Sequence, residues 1–399
     1  MANLLSTLSV YLRLAWAILR RRPYKLSLLV SKGCNLRCQI CSLWQNENVT
    51  LQLAEVQRIW GAFRAKPCWV NVSGGEPMLN RELEAILGWF VEMDRPRLVT
   101  VTTNGFVDCA PLVRRVLRRN RRSLLYVSVS LDGNEAVHDE ARGRARSFQR
   151  AFATYQRLRE MQREFPALKV GISTTISRVN QARLLPFVLQ TLEHCPELTV
   201  NLAQGSEYYQ NAAADGFQDL SAGELVPLLA SIQRALARFS LDSLLKVNYL
   251  EMAIRYLQGG YRPIPCTSYL HNVLVTSELD VVDCTVRFRP WPGAGRSRTD
   301  KLEQVCATIA GPAERTTAIR DEVRRSGCEQ GCHTPCEKYV HSIAALLHPR
   351  YAPRLLWAYL RTLALRGAHR GARSAAGAGE FALEPAAEPQ RPTGVADVA

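Results

Sequence analysis

Residues 25–41 read KLSLLVSKGCNLRCQIC, a short apolar run followed at once by three cysteines. The apolar run has the length and composition of a buried strand. Cys34, Cys38 and Cys41 lie close enough in sequence for a single loop to present three thiols. Thiolates suit zinc and iron–sulfur clusters, and three of them would leave one iron of a four-iron cluster open to a small molecule. Spacing alone predicts a metal site; a zinc knuckle short of a ligand, or buried thiols, would explain it too.

The pattern that begins at Lys25 continues to about residue 240 as short β-branched runs alternating with longer helical periods. Such alternation is typical of βα units and a parallel sheet. We predict six strands, at residues 25–30, 69–72, 98–101, 125–130, 169–174 and 198–202. We predict the intervening helices at residues 52–65, 81–93, 110–119, 146–163, 181–193 and 222–238.

A polar or cysteine-bearing segment follows each predicted strand. Because the carboxyl ends of the strands share one rim in a parallel barrel, these segments are expected to meet there and form the active site. The sequence therefore predicts an α/β fold, with a partial (β/α)6 TIM-type barrel over residues 25–240. A small cysteine-rich α+β domain is expected over residues 241–345.

The cysteine loop, GCNLRCQIC at residues 33–41, resembles the C-x3-C-x2-C signature of the radical S-adenosylmethionine (SAM) superfamily. Three later segments are similar to further motifs of that family. SGGEP at 73–77 resembles its GGE segment, and TNG at 103–105 resembles its TNG turn. SVSLDG at 128–133, with the following HD at 138–139 and RG at 142–143, resembles its SLDG…HD…RG stretch. The motifs occur in the family's order on successive predicted strands.

This resemblance implies that Cys34, Cys38 and Cys41 hold a [4Fe–4S] cluster whose fourth iron binds the amino and carboxylate groups of SAM. In the family, an electron from an external flavodoxin- or ferredoxin-type donor breaks a C–S bond of SAM, and the resulting 5′-deoxyadenosyl radical takes a hydrogen from the substrate. The predicted cofactor-binding residues are Ser73, Gly74, Gly75, Glu76, Asn104, Ser130 and Asp132. The paired glycines allow a close backbone approach, and Ser130 and Asp132 offer acceptors for ribose hydroxyls. Turn chemistry, a strand-end cap or a salt-bridged rim residue would explain the same residues without a cofactor.

Five later cysteines form a second group, consisting of Cys266, Cys284, Cys328, Cys332 and Cys336. The region resembles the shortened SPASM, or twitch, extension of some radical SAM enzymes, which implies one auxiliary [4Fe–4S] cluster. The middle C-x2-C-x5-C element of the longer SPASM signature is missing from the sequence. The favoured ligands are Cys266, Cys284 and Cys332, with either Cys328 or Cys336 as the fourth. A structural zinc site with four cysteine ligands is the alternative.

The chain carries 51 basic and 36 acidic residues, a net charge of +15 that favours anionic partners. Residues 1–25 and 339–373 contain basic residues but no acidic ones. Both regions include basic amphipathic helices, expected within 1–24 and 346–370, whose Trp and Leu residues are typical of interfacial membrane anchors. Packing of both helices against the barrel is the alternative. A third basic run, at 114–122, is interpreted as a solvated helix face, and residues 371–399 as a disordered tail.

Taken together, the motifs predict a radical SAM enzyme, an oxidoreductase or C–H-modifying catalyst. A lipid or lipid-linked intermediate at the membrane surface is the favoured substrate, and a ribosomal peptide to be oxidised or cross-linked is the alternative. An iron–sulfur electron carrier or redox sensor is the non-enzymatic alternative, although it would not need the SAM-type motifs. The cysteine grouping indicates a cytoplasmic protein. If the terminal helices bind a membrane rather than pack on the barrel, the protein would lie peripherally on its inner face. No aromatic–basic nucleic-acid module is recognisable. The candidate substrate residues are Gln204, Glu207, Tyr208 and Tyr209.

Overall fold

The structure is a computed structural model that describes residues 2–95, 97–120, 122–203, 205–211, 221–238, 240–259, 268–282, 297–311, Thr317, Asp321, 342–343 and 345–370. For residues 2–7, 241 and 365–370 it describes the backbone alone.

One sheet contains all the strands of the described residues. They are β1 (Lys25–Ser31), β2 (Trp69–Gly74), β3 (Leu98–Thr103), β4 (Leu124–Ser130), β5 (Leu168–Ile176), β6 (Thr199–Leu202), β7 (Asn272–Val275) and β8 (Val281–Val282). The order across the sheet is β6-β5-β4-β3-β2-β1-β7-β8, and every neighbouring pair is parallel except β7 with β8. The predicted α/β fold with a partial parallel barrel is confirmed.

The helices lie before, between and after the strands along the chain. They are α1 (Ala2–Leu19), α2 (Leu53–Ala62), α3 (Leu83–Glu92), α4 (Ala110–Arg119), α5 (Glu135–Arg142), α6 (Ser147–Met161), α7 (Gln181–His194), α8 (Ala222–Leu236), α9 (Leu241–Gly259), α10 (Ser268–His271), α11 (Arg298–Ala310) and α12 (Ala352–Arg370). The short helix α5 was not predicted. The Asn134 side chain accepts a hydrogen bond from Val137 N at its start, and Gly143 ends it in the left-handed conformation.

Side chains alternate along the strands between two environments. Apolar residues such as Val70 and Val72 in β2 belong to the main hydrophobic core. The residues beside them, Asn71 and Ser73, line a cavity inside the barrel. The period of two that defines a strand therefore also gives the barrel a polar interior.

The sheet continues beyond the predicted domain boundary at residue 240. Strand β7 pairs in parallel with β1, so that Lys25 lies opposite Asn272. Residues 272–282 form a hairpin of β7 and β8, in which residues 276–280 are the turn and Leu279 has a φ of +62°. Residues 241–345 as a separate domain remain a prediction.

Helix α1 covers the amino ends of the strands. Leu14 packs with Tyr24 and Trp69, next to the first residues of β1 and β2. The opposite face of the helix is open, since Leu12 is 62% exposed and Trp16 is 56% exposed. Packing against the barrel, one of the two expectations for this helix, is therefore observed for one face only.

Helix α12 packs on α8 and α9. Tyr359 is buried, and its hydroxyl accepts a hydrogen bond from Ser240 N at 3.3 Å, whereas Trp357 on the other face is 63% exposed. The helix ends at Arg370, within the range expected for it. No helix among the described residues is long and apolar enough to cross a membrane.

Candidate active site at the carboxyl ends of the strands

The loop after β1 carries the three thiols, and each of them is partly buried. Burial raises the pKa of Cys34 to about 11 and that of Cys41 to about 12, and the neighbouring thiols add to both shifts. Burial also raises the pKa of Cys38, although Arg142 opposes the shift. Such thiols ionise together only beside a cationic partner, which a bound metal centre supplies. The donor set therefore fits a thiolate-ligated metal centre.

These thiols need not meet at one point. In the described part of the chain, no three Cys, His, Asp or Glu side chains converge closely enough to hold a single metal ion. A four-iron cluster places each thiolate on a separate iron, so its ligands do not have to converge in that way.

The SGGEP segment after β2 packs its backbone against the base of the cysteine loop. Gly75 N donates to Ser31 O at 2.8 Å, and Glu76 N donates to Gly33 O at 3.0 Å. A Cβ on Gly75 would lie 2.1 Å from Gly33 O, and one on Gly74 would lie 2.3 Å from Ser31 O. These glycines thus make room for the protein's own backbone. Their contact with SAM remains a prediction.

Glu76 joins the GGE segment to the TNG turn through its buried carboxylate. Its Oε1 accepts from Thr103 Oγ1 at 2.7 Å, and its Oε2 accepts from Asn104 N at 2.7 Å. Burial raises the pKa of this carboxyl, while the hydrogen bonds oppose the shift. Asn104 Nδ2 in turn donates to Asn35 Oδ1 at 2.7 Å and to Cys34 Sγ at 3.7 Å. Two of the predicted motifs are therefore connected to the cysteine loop.

The carboxyl end of α5 holds the other side of the cysteine loop. Arg37 N donates to Arg142 O at 3.1 Å, and Gln39 N donates to Ala141 O at 3.0 Å. Gly143 has a φ of +63°, and a Cβ there would lie 2.2 Å from Arg37 O. The RG dipeptide thus ends the helix and also contacts the backbone of the cysteine loop.

Arg142 connects Asp132 to the cysteine loop in the interior. Its Nε lies 2.7 Å from Asp132 Oδ2 in a buried ion pair, and its Nη1 donates to Cys38 Sγ at 3.9 Å. Burial alone would lower the pKa of Arg142, but Asp132 and Cys38 outweigh it and raise the pKa. Thr175 N donates to Asp132 Oδ1 at 2.9 Å. Asp132 thus holds protein partners on both carboxylate oxygens, and its predicted contact with ribose hydroxyls remains untested.

His138 supports the backbone at Asp132. Asp132 N donates to His138 Nδ1 at 3.1 Å, an arrangement that requires an unprotonated Nδ1. Burial, with Arg142 nearby, lowers the pKa of His138 well below its usual value. His138 and Arg142 both lie on α5 and both contact Asp132. From the sequence they were recognised only as parts of a motif, because no local pattern reveals these contacts.

A cavity of about 720 Å³ runs through the barrel from the cysteine loop to the amino ends of the strands. Its upper end is lined by Cys41, Ser73, Ser130 and Arg142. Its lower end is lined by Val10, Tyr11 and Leu14 of α1. A cavity of this size suits a small-molecule ligand, and its upper end adjoins the thiols.

Of the predicted substrate residues, Tyr209 lines the cavity and Tyr208 packs beside Cys41. Glu207 is exposed, and Gln204 lies outside the described residues. Asn211, which the sequence did not single out, donates from Nδ2 to Ile40 O at 2.7 Å and so attaches this segment to the cysteine loop. The five cysteines of the second group, Cys266, Cys284, Cys328, Cys332 and Cys336, also lie outside the described residues.

Comparison with known proteins relates part of this chain to one enzyme family. Residues 28–179, from β1 to just after β5, match the radical SAM superfamily. GTP 3′,8-cyclase of Klebsiella pneumoniae is 34% identical over 123 residues, which cover 29% of this chain and 36% of that protein. The chain thus matches about a third of the length of this relative.

Two crystal structures of SuiB from Streptococcus suis share the fold at 15% sequence identity, and each alignment covers 73% of this chain and 67% of SuiB. One is SuiB bound to S-adenosylmethionine, with a TM-score of 0.50, and the other has a TM-score of 0.52.

The parallel barrel, the strand-end motifs and the family match together define an enzyme. Residues 28–179 therefore form a radical SAM domain. Members of this superfamily use a [4Fe–4S] cluster and SAM, and they generally take an electron from an external donor.

Proposed function

We propose that this chain cleaves SAM reductively and abstracts a hydrogen atom from a substrate held in the barrel cavity. A [4Fe–4S] cluster on Cys34, Cys38 and Cys41, with SAM on its fourth iron, supplies that chemistry when bound. The observation that carries the proposal is the presence of three partly buried thiols on one loop, of which Cys41 lines the upper end of the cavity. The reported complex of SuiB with SAM supports a SAM site on this fold.

The chain's own residues orient and shield the site in this proposal. Arg142 faces the Cys38 sulfur, so its positive charge favours the thiolate form. Glu76 and Asn104 hold the GGE and TNG backbones against the cysteine loop. Ser73 and Ser130 present hydroxyls to the cavity, where they can hydrogen-bond to bound SAM. Val10, Tyr11 and Leu14 of α1 line the lower end of the cavity, where they limit the access of water.

Anaerobic reconstitution with iron and sulfide tests the proposal directly. We expect 5′-deoxyadenosine to form when dithionite and SAM are supplied, because reductive cleavage of SAM leaves that product after hydrogen abstraction. A fully loaded cluster that yields no 5′-deoxyadenosine would instead favour an electron carrier or redox sensor.

We further propose one auxiliary [4Fe–4S] cluster on Cys266, Cys284 and Cys332, with Cys328 or Cys336 as the fourth ligand. The support is the sequence resemblance to the twitch extension. The variant in which Cys34, Cys38 and Cys41 are all replaced by Ala separates the two centres. It is expected to keep about four irons per chain out of about eight. Loss of all iron from this variant, or zinc in its place, would contradict an auxiliary cluster.

We propose a lipid or lipid-linked substrate, which Tyr209 and its neighbours Tyr208 and Glu207 would contact near the cysteine loop. The support is the pair of terminal helices, whose exposed apolar faces carry Trp16 and Trp357. Detergent-dispersed membrane lipid is expected to raise 5′-deoxyadenosine formation above the substrate-free rate, and Tyr209→Phe is expected to reduce that increase. An increase with peptides and none with lipid would favour the peptide alternative.

A further inference from the structure

Exposed large apolar side chains are concentrated on two segments of this chain. Within the described residues there are ten such side chains, and nine of them lie either on α1 or between residues 347 and 360. They include Leu12, Trp16 and Leu19 on α1, and Leu356, Trp357 and Leu360 on α12. Single exposed apolar residues are ordinary, but a concentration of them marks a contact surface.

Both helices are anchored through their opposite faces. Leu14 of α1 is 6% exposed and packs with Tyr24 and Trp69. Tyr359 of α12 is 5% exposed and packs with Ala237 and Val247. The open faces are thus presented outward by helices that the core holds in place.

Helices α1 and α12 border the same end of the molecule. Tyr11 of α1 lines the lower end of the cavity together with Ser240 and Asp242, from the loop and first turn that join α8 to α9. The hydroxyl of Tyr359 in α12 accepts a hydrogen bond from the backbone N of the same Ser240. This end lies opposite the cysteine loop, because α1 covers the amino ends of the strands.

Each helix pairs an exposed tryptophan with an arginine one turn later. The Arg20 guanidinium lies 4.4 Å from the centroid of the Trp16 ring, and the Arg361 guanidinium lies 5.5 Å from that of Trp357. Among the described residues, Arg20, Arg21, Arg22, Arg354 and Arg361 form no ion pair with a carboxylate. The acid-free segments 1–25 and 339–373 contain all five.

We propose that this surface, the exposed faces of α1 and α12 with Arg20–Arg22, Arg354 and Arg361, docks on a bilayer that contains anionic phospholipid. Trp and Leu side chains enter the interfacial layer, and the arginines contact the lipid phosphates. The complementary charge selects a membrane over a second copy of this chain, since two copies of so basic a surface would repel each other. Docking does not depend on the proposed enzymatic activity.

Vesicle flotation of the full chain tests this proposal. We expect binding to vesicles of phosphatidylcholine with 30% phosphatidylglycerol (about a third anionic, enough to give a negative surface potential), and weaker binding to pure phosphatidylcholine. Replacing Arg20, Arg21 and Arg22 by Gln is expected to weaken binding by about fivefold per arginine. The double variant Trp16→Ser/Trp357→Ser is expected to lose about tenfold or more.

A matched control removes the same charge elsewhere. The variant Arg115→Gln/Arg118→Gln/Arg119→Gln on α4 is expected to float like the wild type, and iron content shows whether each variant has folded. Equal flotation of every variant, or none of the wild type, would overturn the proposal. Light scattering could instead detect a dimer of a wild type that binds no vesicles. If Trp16→Ser/Trp357→Ser converted this dimer to monomers, the surface would be assigned to contact with a second copy of the chain.

Discussion

The two ends of the barrel are built on different principles. At the carboxyl end, charges are buried and paired, as in the Asp132–Arg142 pair, and backbones meet at glycines. At the amino end, α1 seals the barrel with apolar contacts and leaves tryptophan and arginine side chains outside. The first arrangement positions groups within a fraction of an ångström, whereas the second offers a surface that tolerates change. Substitutions at the two ends should therefore have effects that differ in kind as well as in size.

The largest contrast is expected between two cysteines at opposite ends of the barrel, Cys34 and Cys68. Cys34→Ala should abolish 5′-deoxyadenosine formation, because it removes one of three proposed cluster ligands. Cys68→Ala, at the amino end beside Tyr24, should retain the product, since Cys68 packs in an apolar cluster. The product is measured by chromatography after anaerobic reconstitution. Full activity of Cys34→Ala would contradict the assignment of the loop.

Backbone contact at the carboxyl end can be tested through Gly143. Gly143→Ala should lower the free energy of unfolding by about 2–4 kcal/mol, because it combines a left-handed φ with a clash against Arg37 O. Gly61→Ala in α2, where no atom lies within 4 Å of an added Cβ, should raise it by about 0.5–1 kcal/mol. Denaturant unfolding measures both, and a neutral Gly143→Ala would rule out the tight contact.

The two faces of α1 should respond differently to the same substitution. Leu14→Ala should lower the free energy of unfolding by about 2–3 kcal/mol, since it removes a buried side chain. Leu12→Ala, two residues earlier on the open face, should change it by less than about 0.5 kcal/mol. Thermal and urea unfolding compare the pair. Similar losses for both would mean that the open face is covered in solution.

The smallest expected effect is a pH dependence at His138. Its pKa in the folded chain lies well below the usual value of 6.5, so below pH 6.5 the unfolded chain binds a proton that the folded chain does not. Stability should therefore fall as the pH drops below 6.5, by up to about 1.4 kcal/mol per pH unit. His138→Asn keeps an acceptor for Asp132 N and should flatten this slope, measured by urea unfolding between pH 7 and 5.5.

Much of the fold could be predicted from local patterns. Strand β2 and its neighbours alternate with a period of two, and the cysteine spacing marks one loop, so both are readable without tertiary contacts. Helix α5 was missed because it has only eight residues and lies between two glycines, Gly133 and Gly143. The pairing of β7 with β1 was also missed, since it joins residues far apart in sequence.

The site was predicted as a set of motifs rather than as a set of contacts. The glycines at 74 and 75 were interpreted as space for a ligand, and the structure shows that they also admit the backbone of Ser31 and Gly33. Asp132 was assigned to a ribose, yet it pairs with Arg142. These contacts join segments that are distant in sequence, so no local signal could reveal them.

By itself, the sequence determined the parallel α/β barrel, the three-cysteine loop after its first strand and the basic, acid-free ends of the chain. Periodicity, ligand spacing and charge are all local properties that a single chain displays. The tertiary structure alone decided which backbones the glycines admit, which aspartate Arg142 neutralises and which faces of α1 and α12 stay open. Those outcomes depend on how distant segments pack, because a buried contact is defined by both of its partners.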